Sequence, residues 1–161
     1  MNNAIARFAE MVGASDFGQW ASGSSIAYPL ANVLHLLGLV MLVGAIGILD
    51  LRLAGAFRAL AVAPLSRALT PIAIAGLMLM VPTGATMFAA DATTLAQSTT
   101  FRWKLVLVGI ALTNAVAFRV MWRNRLGTWD SAPPIAGRLM AAGSILLWLT
   151  IGGLGRMIAY S

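Results

Sequence analysis

Residues 31–55, "ANVLHLLGLVMLVGAIGILDLRLAG", decide how this chain is built. From Ala31 to Leu49 the run is apolar except for Asn32 and His35, and it closes on Asp50-Leu51-Arg52-Leu53 and Gly55. Extended back to about Ser25, it reaches the roughly 20 residues needed to cross a hydrocarbon core. The apolar residues run around the whole helical wheel, leaving no polar face of the width a soluble amphipathic helix presents. His35 is the only histidine in 161 residues, so its place inside such a run is the main functional clue.

Composition extends that reading to the whole chain. Apolar residues make up 60% and charged residues 10%, against about 25% charged in a soluble domain, and the mean hydropathy is +0.85. A core this small cannot hide so many apolar side chains, because a domain of this size leaves roughly a third of its chain surface in solvent. Lipid is the missing solvent, and the expectation is an integral membrane protein. Three more spans follow, at about 69–89, 102–121 and 135–157, after a first at about 25–49. The predicted fold is an all-α four-helix transmembrane bundle, a single membrane domain over residues 1–161. Helices are the form in which a spanning backbone pairs its own polar groups.

The formal charge of +6 does not point to nucleic acid, because the basic residues lie mainly between apolar runs. Arg52, Arg58 and Arg67 fill the first connection, and Arg119, Arg123 and Arg125 the third, with Arg138 just inside the fourth span. The second connection, "ADATTLAQSTT", has no basic residue before Arg102 and Lys104. The positive-inside rule then places the first and third connections in the cytoplasm and both termini in the periplasm of a bacterial inner membrane. With no cysteine, disulfides and thiolate metal sites are excluded. Residues 1–24 lack the form of a signal peptide. Ile5, Phe8, Met11 and Val12 recur at helical spacing there, which predicts one short interfacial helix.

Local expectations follow along the chain. Pro64 precedes a Ser66 or Thr70 cap for the second span, and Asp50 with Arg52 forms a local ion pair. Gly44 and Gly47 suit close helix packing, as do Ala73, Gly76, Ala111, Ala115, Gly143 and Gly152.

His35 lies about ten residues, or roughly 15 Å, into the first span, in the outer half of the bilayer. Asn32, Gly38, Leu39 and Leu42 share its face. The other spans bring Pro82, Thr83, Gly84, Met87 and Asp91, then Arg102 and Lys104, then Gly152, Gly153, Gly155, Arg156 and Met157 to the same level. Intramembrane ionisable groups point to function by default. A neutral imidazole is a common iron ligand, so one expectation is a b-type haem with His35 as axial ligand. Gly38 then clears space for the porphyrin beside Asn32, and Arg102, Lys104 and Arg156 meet the propionates. With one histidine, the iron would be five-coordinate, take Met87, Met157 or Lys104 as a sixth ligand, or be shared across a dimer. Two other expectations stand beside it: a non-enzymatic structural or assembly protein, and a copper or small-solute transporter with His35, Met87 and Met157 as ligands. No Ser-His-Asp arrangement, carboxylate pair or phosphate-cradling glycine loop suggests a soluble enzyme.

"YPLANVLHLLGLVMLVGAIGILDLRLAG" (28–55) resembles the opening helix of a bacterial family of small four-span membrane proteins. "PTGATMFAAD" (82–91) and "FRWKLVLVGIALTNAVAFR" (101–119) resemble the second and third helices of that group. More distantly, His35 with Lys104 is similar to the HemJ-type protoporphyrinogen oxidases and to the membrane domain of CopD-type copper-resistance proteins. That resemblance implies a haem-ligand role for His35 and an essential role for Lys104. It departs in the third helix, where HemJ-type proteins carry a further histidine and this chain has none. Lipid, a homo-oligomer or a larger membrane complex are the partners implied.

Overall fold

A computed structural model describes residues 3–158. Helices α1 (Asn3–Ala14), α2 (Asp16–Gly23) and α5 (Ala92–Gln97) are short. Helices α3 (Ala27–Ala54), α4 (Val62–Ala90), α6 (Thr99–Trp122) and α7 (Ile135–Ile158) are long and apolar enough to cross a membrane. There is no strand among the described residues. The chain is a multi-pass membrane protein with an all-α four-helix bundle. At 24 to 29 residues each, the long helices run about 36 to 44 Å, which exceeds the hydrocarbon thickness and carries their ends into the interface. Val33, Val40, Met78, Val116, Val120 and Leu146 stand exposed along them, as lipid-facing side chains do.

Helix α3 is the hub: it packs along α4 and against α7, and α7 in turn packs on α6. Two glycines set the α3–α4 crossing. A Cβ built on Gly38 would lie 2.8 Å from the Gly76 carbonyl oxygen and 2.7 Å from Met80 Cγ; one on Gly76 would lie 2.7 Å from the Gly38 carbonyl oxygen and 2.8 Å from the Leu42 nitrogen. Only hydrogen at both positions lets the backbones approach so closely. Leu42, Ala45, Ala73, Ala111, Trp148 and Ile151 form the bundle core beside this crossing. This corrects the expected roles of the α3 glycines. Gly38 opens no slot beside the imidazole, because α4 occupies it, whereas Gly44 and Gly47 have nothing within 4 Å of a built Cβ.

The N-terminal segment is two helices rather than one. Ser15 breaks it and caps α2, its Oγ accepting from the Gly18 N–H at 3.1 Å. Helix α1 lies against α5, with Ala9 packed among Ala92, Ala96, Val12 and Phe88. The second connection is therefore structured, ending at Ser98, which caps α6 by accepting from the Phe101 N–H. Phe88 stacks on both Phe8 and Phe101, with ring centroids 6.5 and 5.6 Å apart, tying α1, α4 and α6 together. The large apolar residues Phe8, Met11 and Trp20 remain exposed on this cap.

At the opposite end, the tail of α3 anchors the connection between α6 and α7. Arg52 forms no pair with Asp50. Its Nη2 donates to Asp130 Oδ1 at 2.5 Å and its Nε to the Leu60 carbonyl. Asp50 lies across from Ser144 on α7 instead. Trp129, 1% exposed, donates from Nε1 to the Leu53 carbonyl at 3.2 Å. Arg138 donates from Nε and Nη2 to the Ala54 carbonyl at 3.0 and 2.9 Å. Gly55 ends the helix in the left-handed region at φ 119°, where glycine is favoured. Helix α4 starts at Val62 rather than near Leu69, with Pro64 inside its first turn, where no amide partner is lost. Its cap is neither Ser66 nor Thr70: Asp130 accepts from the Val62 N–H at 3.3 Å.

Candidate intramembrane site

His35 lies eight residues past the start of α3, about 12 Å along it. Its half-buried ring faces α4 at the turn after Pro82, where Thr83 and Gly84 follow in sequence. The His35 Nδ1 to Thr83 Oγ1 distance is 3.0 Å. Thr83 has one hydroxyl proton, and its shortest hydrogen bond, 2.7 Å, is donated to the Leu79 carbonyl of its own helix. Thr83 is therefore the acceptor toward His35, and Nδ1 carries the ring proton. The lone pair then resides on Nε2.

Glycine permits this approach. A Cβ on Gly84 would lie 3.2 Å from His35 Cε1, so the imidazole edge rests on bare helix backbone. Lys104, five residues past the start of α6, extends along α7, with its Nζ 3.4 Å from where a Gly155 Cβ would be. From there its ammonium acts electrostatically on His35. One polar site thus gathers residues of all four spanning helices: His35 from α3, Thr83 and Gly84 from α4, Lys104 from α6 and Gly155 from α7.

Other expected members are placed differently. Arg102 is exposed and donates from Nη2 to Thr99 Oγ1 at 3.1 Å, on its own helix. Arg156 is exposed at the end of α7, and Met157 is 61% exposed. Asn32 and Met87 are half-buried. Among the described residues no three His, Asp or Glu side chains assemble as metal ligands. Thr83 and Gly84 were legible only as residues at the depth of His35, and their contact with the ring needs the α3–α4 crossing. Deeper in the bundle, Asp50 is buried, and its Oδ2 has no hydrogen-bond partner among the described residues.

The fit of a b-type haem divides in two. The ligand nitrogen fits, since metal-binding imidazoles characteristically donate their other N–H to a nearby acceptor that fixes ring and tautomer. An interior porphyrin slot does not fit. The spaces beside Gly38, Gly84 and Gly155 are filled by α4 backbone and Met80, by the imidazole itself, and by Lys104.

Compared with family models, curated proteins and solved structures, the chain matches none.

Proposed function

We propose that the protein works in the bacterial inner membrane, with both termini in the periplasm, by binding a b-type haem through His35 near the periplasmic face. It would serve electron transfer, porphyrin handling or a larger membrane complex. The observation that carries this reading is the 3.0 Å contact between His35 and Thr83: with Oγ1 accepting a hydrogen bond from the Nδ1–H, the Nε2 lone pair is left available to a metal inside the membrane. When bound, the iron supplies reversible one-electron chemistry. Because the interior is filled and the ring is half-buried, the group belongs at the open edge of the bundle. His35 of a second copy of the chain would then supply the other imidazole, in keeping with one histidine per chain. Lys104 is the cation placed to meet a propionate, with Arg102 and Arg156 at the rim.

The test is an absorption spectrum of the detergent-purified protein from haem-replete cells. The expected result is a Soret band lost in His35→Ala, with one haem per two chains. A colourless wild-type preparation overturns the haem reading, and one haem per chain overturns the shared site.

A further inference from the structure

The end of the bundle remote from His35 holds a partly open cavity of about 260 Å³, lined by Arg52, Arg58, Arg138, Asp130, Trp129 and Pro133 among others. Three guanidinium groups face one carboxylate. That carboxylate is engaged already, by the Arg52 guanidinium and by the amide that opens α4. Arg52 is buried and held in place by the Leu60 carbonyl. Arg138 is fixed by two bonds to the Ala54 carbonyl. Arg58 is exposed and donates only its Nε, to the Gly55 carbonyl at 3.3 Å, so its two Nη groups meet no acceptor among the described residues. Two positive charges therefore remain uncompensated around a small cavity.

Arginines at a membrane face are commonly orienting charges that point separately into water. These converge, and two of them are locked by hydrogen bonds before any ligand arrives. Guanidinium forks match the oxygens of a phosphate group, and preset forks lose little freedom on binding. The connection carrying Arg58 supplies a second observation. Phe57 holds φ at 48°, a left-handed conformation uncommon for a bulky residue. Phe57 is 57% exposed, and Leu60, three residues on, is 45% exposed. An apolar pair beside a cationic cavity, at the end of membrane-spanning helices, matches a ligand with an anionic head and acyl chains.

We propose that this cavity binds the phosphate group of an anionic phospholipid, with Arg58 and Arg138 as the phosphate-contacting groups and Arg52–Asp130 as the frame. The site is independent of the haem reading. A free phosphate shares the headgroup chemistry, and competition separates the two sources. Full-length protein in neutral detergent is titrated with fluorescent phosphatidylglycerol, then competed with unlabelled phosphatidylglycerol, phosphatidylcholine or inorganic phosphate. Phosphatidylglycerol should displace the probe at concentrations where phosphatidylcholine does not. Arg58→Gln, at an exposed position, should weaken binding about fivefold, and Arg58→Lys should weaken it less. Equal competition by phosphatidylcholine, or unchanged affinity in Arg58→Gln, overturns the site. Displacement by inorganic phosphate where phosphatidylglycerol has no effect overturns the lipid assignment.

Discussion

The same substitution at two glycines of one helix should act with opposite sign. Gly38→Ala inserts a Cβ 2.7 Å from Met80 Cγ and 2.8 Å from the Gly76 carbonyl oxygen. Met80 is flexible and can withdraw, but the carbonyl belongs to the α4 backbone. Relief therefore requires α3 and α4 to separate beside the Leu42, Ala45 and Ala73 core. Overpacking of this kind costs about 1–3 kcal/mol, against which alanine's helix propensity returns about 1 kcal/mol. Gly38→Ala should thus destabilise by about 1 kcal/mol. Gly44→Ala meets nothing within 4 Å, keeps only the propensity gain and should stabilise by up to about 1 kcal/mol. Thermal unfolding of both variants in one detergent, followed by far-ultraviolet circular dichroism, should separate their Tm values by about 4–8 °C, at 2–4 °C per kcal/mol. Shifts of equal sign and size would refute the crossing described here, since the two sites would then be equivalent surfaces.

The other perturbations probe the two ends of α3. Asp130→Asn removes the charge facing buried Arg52 and weakens the cap on α4. Breaking a fully buried pair costs 3–5 kcal/mol, but the Asp130 side chain is 42% exposed, so a loss of about 2 kcal/mol is expected, read as a lowered Tm. Trp129→Ala empties the space beside Gly137 and should cost about 3–5 kcal/mol, seen as rapid proteolysis within 123–134. Trp129→Phe keeps a ring, loses the bond to the Leu53 carbonyl, and should cost about 1 kcal/mol from that bond. Thr83→Val removes the acceptor that fixes the imidazole. It should lower haem retention in the spectrum while leaving unfolding nearly unchanged, and identical spectra would disprove its orienting role.

What the sequence reveals follows how local each cause is. Lipid imposes a length and an apolar composition on every span, so four runs of residues announce four helices, with ends up to seven residues from those observed. The cap of α4 is different in kind. Its acceptor, Asp130, lies 68 residues from Val62, and no neighbour of Val62 signals it. Arg52 shows the same limit: Asp50 is the nearby acid in sequence, yet on a helix a two-residue offset turns the side chains about 200° apart. The glycines carried a readable hint. Ala27, Ala31, Gly38, Leu42 and Ala45 recur at spacings of four, seven, four and three, and all are buried. Gly38 and Leu42 of that buried stripe meet α4 at Gly76, and Gly44 and Gly47 lie off it.

The two ends of α3 then divide the labour of the 31–55 segment. In the Asp-Leu-Arg-Leu-Ala-Gly tail, the Arg52 side chain, the Leu53 and Ala54 carbonyls and the Gly55 conformation each hold part of another connection. These contacts fix how far α3 projects from that end. With its length set, the Gly38–Gly76 crossing sets its distance from α4, and His35, one turn beyond Gly38, meets Thr83 without adjustable slack. A one-residue insertion between Leu39 and Ile48 would rotate the imidazole by about 100° relative to the anchored tail. It would carry the ring off Gly84 while every local residue around His35 stayed the same. Ligation lost in that insertion, with helical content preserved, would show that the imidazole is positioned by the far end of its own helix.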